Sequence, residues 1–499
     1  MTIRVGERPV TLDDLVRVAR GGEMVELAST ARERVDVARR LVDHLAAKSE
    51  PIYGLNSALG ANTGAPLAPD DLAEYQLRAI RARAVGVGPP YDRESVRAML
   101  FARIAGMAQG GSGVSPSVLD GLCAFVNRDV VPVVPRIGSI SVADLPQLAH
   151  LALPLVGEGE AYFGGERLTG REALTRAGLA PTVLGAKDGV ALISANAATV
   201  GRAALVVHDA ATAHDAWLTA IALSFEAFRA NLSTLDERAL RARPARGELD
   251  VGARLRALLD GSALFETGAA RRVQDPLSFR VTPQVHGSLH WILEELRAQI
   301  EIELNSAAES PLVVAADGVM LSNGNFHLPA LATTLDATAI AFAQAASLAV
   351  GRCIKFMSPT FTDLPLQLTR HGPAHSGFAT VQKTLTALWG EIRRLANPGS
   401  LDFLPVSEQI EDHATHALAV VEKLDALVNS VRYLVAIELI IAAQAVDLRE
   451  LDHAMLGHGP RRAYERVRAV VPVLDGDRAL GPDIDRIEPL VRASRFGSA

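Results

Sequence analysis

The sequence predicts a mainly α-helical protein, built on a long central helical bundle with a smaller mixed region toward its N-terminus. Three observations carry that expectation. The 499-residue chain is 49% hydrophobic but only 5% aromatic, and it is rich in Ala, Leu, Val and Arg, a balance that favours helix. From about residue 190 onward, long segments carry apolar residues at helical spacing. Before that point, short helical patterns alternate with loops containing Gly and Pro.

In chain order, the spacing predicts helices over Thr11–Arg20 and Ala31–Lys48, with Thr30 and Glu33 spaced as a capping box for the second. Loops follow at Gly54–Pro66, Gly110–Pro116 and Pro132–Pro146, the last preceded by the β-like Val130-Val131, and a hairpin is expected within Gly157–Thr169. Long helices are then predicted at Ala191–Glu226, Leu289–Ser306, Leu331–Val350, Thr380–Arg394 and Ala414–Asp447. Long apolar helices in such number imply a bundle, extended by oligomerisation. The segment from Gly457 is charged and interrupted by Pro, and reads as a peripheral cap. The expected organisation is thus a mixed region over 1–190, a bundle over 191–456 and a cap over 457–499.

Charge and composition exclude several classes. A net charge of −7 with mixed signs lacks the basic face that nucleic acid requires. Cys123 and Cys353, the two cysteines, build neither a disulfide framework nor a zinc motif and suit a reducing cytoplasm. Met1-Thr2-Ile3-Arg4 opens no apolar signal segment. The most apolar run, Tyr433–Val446, is shorter than the ~20 residues of a membrane span, so no membrane association is expected. His150, His208, His214, His286, His290 and His327 show no metal-ligand pattern and read as structural, which leaves no metal expected; His413 and His416, taken to share a helix with Glu411, are placed beside a pocket. Trp217, Trp291 and Trp389 are expected in the core or at subunit contacts.

The chemistry-bearing strings are Tyr53-Gly54-Leu55-Asn56-Ser57-Ala58-Leu59-Gly60, Asp144-Leu145-Pro146-Gln147-Leu148-Ala149-His150, Gln274-Asp275-Pro276-Leu277-Ser278-Phe279-Arg280, Glu303-Leu304-Asn305-Ser306, Ser322-Asn323-Gly324-Asn325-Phe326-His327 and Glu411-Asp412-His413. In this order and at these separations they resemble the histidine and phenylalanine/tyrosine ammonia-lyases and their aminomutase relatives, over roughly residues 50–450. The resemblance implies a helical homotetramer with active sites shared between subunits and a small-molecule substrate. It also implies a loop Tyr for proton transfer at Tyr53, a carboxylate-binding Arg at Arg280, a site Asn at Asn305 and a site Glu at Glu411. A guanidinium fork suits a carboxylate, an Asn amide can donate to a developing oxyanion, and Arg83 placed near Tyr53 would lower its pKa by charge. Asn305 as a helix-end cap and Glu411 as a partner for a buried His or Arg are the structural alternatives.

The family builds its prosthetic group, methylideneimidazolone (MIO), from Ala-Ser-Gly just before the Asp-Leu of the loop. Here the loop, 138–146, reads Ser141-Val142-Ala143 before Asp144, and Val142 has no hydroxyl to lose. The loop is one residue short, so Ser141 could shift into the serine role, but its closing nitrogen would be that of β-branched Val142. Ser194-Ala195-Asn196-Ala197 stands where the family has Asn-Gly-Thr-Gln, and Leu59, Leu277 and Ile410 replace more polar or aromatic residues. With Asn196, Phe326 and those three residues lining a substrate pocket, these departures give the expectation of no MIO and no other cofactor. The corresponding function is an MIO-independent lyase, cyclase or isomerase acting on an already activated carboxylate or carbonyl compound, in specialised metabolism. The alternatives are a non-catalytic scaffold homologue and a conventional histidine or aromatic amino acid ammonia-lyase.

Overall fold

The computed structural model describes residues 2–48, 52–57, 67, 72–401 and 403–497. Short parallel strands β1 (Thr2–Val5) and β2 (Met24–Leu27) flank α1 (Leu12–Ala19). Thr11 caps α1 in a reciprocal box with Asp14. Helix α2 (Ser29–Ala46) follows, but the expected Thr30–Glu33 box is not formed: the helix starts two residues earlier, and the Thr30 hydroxyl instead donates to the Gly6 carbonyl at 2.9 Å. Then come α3 (Leu72–Arg81), β3 (Val87–Pro90), α4 (Arg93–Met107), α5 (Pro116–Arg128), β4 (Val131–Pro132) and β5 (Pro135–Ile137). Helix α6 (Leu145–Ala152) leads into the hairpin of β6 (Glu160–Phe163) and β7 (Glu166–Thr169), within the span where the sequence placed one. Helices α7 (Gly170–Ala177) and α8 (Asp188–Ile193) precede the first long helix, α9 (Ala197–Phe228).

The predicted single helix over Ala191–Glu226 is therefore broken at Ser194–Asn196. The break has a cause in the neighbouring loop: the Ala195 carbonyl accepts the Asp144 N–H at 2.8 Å, which takes it out of a helical ladder. The later elements are α10 (Glu237–Arg241), α11 (Glu248–Leu258), the single turn α12 (Leu277–Arg280), α13 (Thr282–Leu304), strands β8 (Leu312–Val314) and β9 (Val319–Leu321), α14 (Pro329–Phe356), α15 (Pro359–Thr362), α16 (Val381–Leu395), α17 (Ala417–Arg449), α18 (His458–Val470) and α19 (Gly481–Arg492).

The chain divides into two compact units. One comprises 1–208, 297–333 and 399–421; the other comprises 209–296, 334–398 and 422–499. In the first, Arg97 of α4 is buried and donates to the carbonyls of Val18 and Val126, and Arg103 pairs with Glu309 at 2.8 Å with both side chains buried. In the second, Phe228 stacks on Phe279 at 4.0 Å between ring centres and meets Phe356 edge-on. Glu438 of α17 lies fully buried there against Arg352, Trp217 and Ser224.

Among the described residues, three segments, Asp188–Phe228, Pro329–Phe356 and Ala417–Arg449, are long and apolar enough by length and composition to cross a membrane. The argument from the shortness of Tyr433–Val446 therefore fails, since that run is part of the 33-residue α17. Burial distinguishes them instead: 94%, 50% and 78% of their most apolar windows lie inside the fold.

Candidate active site

The loop from Gly138 to Pro146 is folded tightly in the first unit. Ser141 and Ala143 both adopt left-handed backbone conformations, with φ of 60° and 53°, on either side of Val142. Left-handed backbone at residues other than Gly is strained, and persists where surrounding contacts fix it. Those contacts are present. The Ser139 hydroxyl accepts the Ser141 N–H at 2.8 Å and donates to Asp144 Oδ1 at 2.7 Å. Asp144, wholly buried, accepts the Thr199 N–H at 2.7 Å and the Thr199 hydroxyl at 2.9 Å, so it sits on the first turn of α9, where backbone donors lack helical partners. Burial pushes the Asp144 carboxyl above its usual range, against the opposing pull of these hydrogen bonds.

Ser141 is buried, and its hydroxyl accepts the Leu418 N–H at 3.0 Å, in the first turn of α17. The Ile140 carbonyl accepts the His416 N–H at 3.1 Å. Val142 bridges His327 in antiparallel fashion. The Asn196 side-chain amide donates to the Phe326 carbonyl, which anchors the residue before His327. The loop is thus clamped between the start of α9, the Phe326–His327 segment and the His413–Leu418 segment. A cavity of about 490 Å³ opens against it, lined by Ile140, Phe403, Leu404, Val406 and His416. Glu303 shares a second, small cavity with Asn196, Arg103 and Ser306, and burial pushes its carboxyl up to about 7.

The fold brings Ser141, Val142, Ala143, Asn196 and Phe326 together. The other sequence-predicted residues stand apart from that cluster or are engaged elsewhere. Asn305 has its side chain paired with the backbone of Val10, accepting from its N–H and donating to its carbonyl, each at 2.8 Å; this is the structural use that the sequence left open for it. Arg83 is half-buried and donates to the Ala79 carbonyl at 3.1 Å. Tyr53 is half-buried in a turn bridged to Ser57. Leu59 lies outside the described residues. Glu411 and Ile410 belong to a tight turn bridged to Val406, with Ile410 61% exposed. Neither Glu411, His413 nor His416 is helical: α17 begins only at Ala417, so the shared helix inferred for them does not exist. Leu277 and Arg280, on α12, belong to the second unit, and both are exposed.

Sequence reasoning missed the His327–His413 contact, in which His327 Nε2 and His413 Nδ1 are 2.7 Å apart. Both residues lay inside quoted strings, yet the pairing of residues 86 apart in sequence leaves no periodic trace. Thr199 and Ser139 were missed for the same reason, because a polar residue that holds a buried carboxylate looks like any other loop or helix-start residue.

The arrangement on this fold is a strained, buried loop held at the N-termini of two long helices. The aromatic amino acid lyase family model matches residues 10–469, and the chain belongs to that family. Among its relatives are the histidine ammonia-lyases of Symbiobacterium thermophilum, 37% identical over 98% of this chain and 96% of that one, and of Stigmatella aurantiaca, 38% identical over the same shares. Among solved structures, the ergothioneine-degrading ergothionase of Treponema denticola superposes with a TM-score of 0.95 at 31% identity, covering 99% of both chains. The histidine ammonia-lyase of Trypanosoma cruzi superposes with a TM-score of 0.91 at 31% identity, over 99% of this chain and 94% of that one.

These full-length similarities overturn two expectations drawn from Val142. An MIO-independent lyase, cyclase or isomerase is not what the relatives favour; several histidine ammonia-lyases at 36–38% identity point to conventional ammonia-lyase chemistry. The expectation of no prosthetic group falls with it, because the family so strongly matched is the one that forms MIO. The physical reason lies in the residue before Val142. Val142 supplies no hydroxyl, but Ser141 presents one at the start of α17, and the Ile140 carbonyl that ring closure would attack is already polarised by the His416 N–H. The loop fits the group through Ile140 and Ser141, with the closing nitrogen contributed by Val142 in place of a glycine.

Proposed function

We propose that the protein is an ammonia-lyase, eliminating ammonia from histidine or a related aromatic amino acid. The observation that carries the reading is the buried, left-handed Ser141, its hydroxyl held by the Leu418 N–H at 3.0 Å. When formed, MIO supplies an electron-poor methylidene that engages the substrate's amino group or ring electrons. Ile140, Ser141 and Val142 would carry it, and Asp144, Ser139 and Thr199 would keep that loop in its strained turn.

The remaining roles follow from the chain's own residues. Tyr53 takes the β-proton, with Arg83 as the cationic residue assigned to the same site. Arg280 binds the substrate carboxylate through its guanidinium fork, and Glu411 moves protons. Ile410 and Phe326 supply apolar wall. Asn196 holds the Phe326 segment, and Asn305 fixes the end of α13. We further propose a cytoplasmic homotetramer whose active sites are shared between subunits; the half-exposed apolar window of α14 supports such an assembly.

Two measurements test the reading. Intact mass should fall by ~36 Da, two waters, relative to the sequence, and Ser141→Ala should restore the unmodified mass. Purified protein should release ammonium and the conjugated acrylate from histidine, phenylalanine or tyrosine; ergothioneine belongs in the panel because of the ergothionase superposition. An unmodified mass together with no ammonium release would refute the proposal.

A further inference from the structure

The His327–His413 pair lies beside the proposed reacting loop and has no role in the scheme above. The two rings meet at 62° with centres 4.9 Å apart, and one hydrogen bond joins Nε2 of the first to Nδ1 of the second. Backbone contacts tie the segment of each histidine to loop residues 140–142. On one side His327 bridges Val142, and the Asn196 amide grips the Phe326 carbonyl just before it. On the other, the segment after His413 donates its His416 and Leu418 N–H groups to Ile140 and Ser141. His413 is exposed while His327 is half-buried. A proton taken from water at His413 can therefore cross the bridge to the ring beside Val142. In such a bridge one imidazole donates and the other accepts, so the pair carries one more proton only as a shared imidazolium.

We propose that His327 and His413 act as one proton-carrying pair that protonates the departing amine. This rests on the ammonia-lyase reading. The balance is simple. The β C–H bond breaks, its proton goes to the base, and its electron pair forms the new C=C bond. The C–N bond breaks with its pair passing to nitrogen, and that nitrogen takes the imidazolium proton, leaving a neutral histidine pair. The base then returns its proton to solvent, and solvent recharges the pair. Burial and the charge of His413 hold His327 below its ordinary range, which suits a ring that must give its proton up.

The test is H413Q, since glutamine can keep a hydrogen bond to His327 but cannot take up a proton. Turnover should fall by ~100-fold with KM changed by less than ~3-fold, a size typical of a lost general acid. Added imidazole should restore kcat in proportion to its concentration, while thermal unfolding and the ~36 Da mass deficit relative to each chain's own sequence stay as in the parent. H327Q is measured in the same way, so that a folding defect in one variant leaves the other decisive. Full turnover in either folded variant, or a loss that imidazole does not relieve, overturns the pair's role. A parent that releases no ammonium overturns the ammonia-lyase reading itself, and an active parent with an equally active H413Q overturns only the pair.

Discussion

Glu438→Gln should be among the most destabilising single changes available in this chain. Glu438 and Arg352 are both fully buried and joined by two hydrogen bonds, Arg352 Nε to Oε1 at 2.6 Å and Nη2 to Oε2 at 3.0 Å. Ser224 Oγ and Trp217 Nε1 each donate a further bond at 3.0 Å, so the carboxylate accepts from four donors. A glutamine amide keeps one acceptor oxygen and sets its NH2 group against donors. Removing one partner of a buried pair leaves an uncompensated cation and typically costs about 3–5 kcal/mol. A lost bond to Ser224 or Trp217 adds about 1 kcal/mol. Against a total stability of about 5–15 kcal/mol, this is a large fraction. Urea unfolding followed by circular dichroism, at fixed protomer concentration, should show a lower midpoint with an unchanged slope. Replacing both partners, as Arg352→Met with Glu438→Met, should recover part of the loss, because an apolar pair carries no charge to desolvate although Ser224, Trp217 and the Ser278 carbonyl lose a partner. A loss below about 1 kcal/mol for Glu438→Gln, or a double variant no better than the single, would show that this reasoning misjudges the site.

Other outcomes follow from the same coordinates. His214 and His286 are buried with parallel rings 5.5 Å apart, and burial holds both well below the ordinary value of 6.5. Below that value the unfolded chain binds protons that the folded chain refuses, so stability is lost as pH falls, by about 1.4 kcal/mol per histidine per pH unit. Glu303, pushed up to about 7, acts oppositely over the same window, since its stabilising neutral form is lost as pH rises. Urea midpoints at pH 6.5 and 5.5 for parent and His286→Phe isolate the histidine part: the acid-side loss should shrink in the variant, and an unchanged loss counts against it. Gly201 of α9 lies against α4, where a Cβ would come 2.7 Å from the backbone of Ala98 and Met99. Gly201→Ala should therefore lose about 1–3 kcal/mol by overpacking. Gly390→Ala, in α16 with open space around it, should gain up to about 1 kcal/mol from helix propensity; chemical denaturation of the two variants reads the opposite signs.

The long helices were legible because an apolar surface that must be buried repeats along the chain. The predicted Leu331–Val350 and Thr380–Arg394 lie within or almost on α14 and α16, and Thr11 caps α1 where the first helix was placed. What the sequence hid was set by contacts between distant residues. The break before α9 depends on Asp144 capturing the Ala195 carbonyl and the Thr199 N–H, and neither side of that exchange alters hydrophobic spacing.

The loop at 138–146 shows why the function was misjudged from the same residues that identified the family. Reading the triad position by position makes Val142 the residue that counts, and a residue without a hydroxyl rules out dehydration there. The fold shifts attention to its neighbour. Ser141, not Val142, is buried at the first turn of α17, and it is the carbonyl before Ser141 that accepts the His416 N–H. Ring closure requires a carbonyl carbon made electrophilic and a nitrogen brought close to it, and the backbone between those two atoms is that of Ser141 alone, which is left-handed. The β-branch of Val142 still crowds the closing nitrogen, so cyclisation in this chain should be slower than in a loop with glycine there. Val142→Gly should accordingly speed the appearance of the ~36 Da mass loss after synthesis, followed by time-resolved intact mass. If relieving that crowding leaves the rate of maturation unchanged, the nitrogen of residue 142 is not the one that closes the ring.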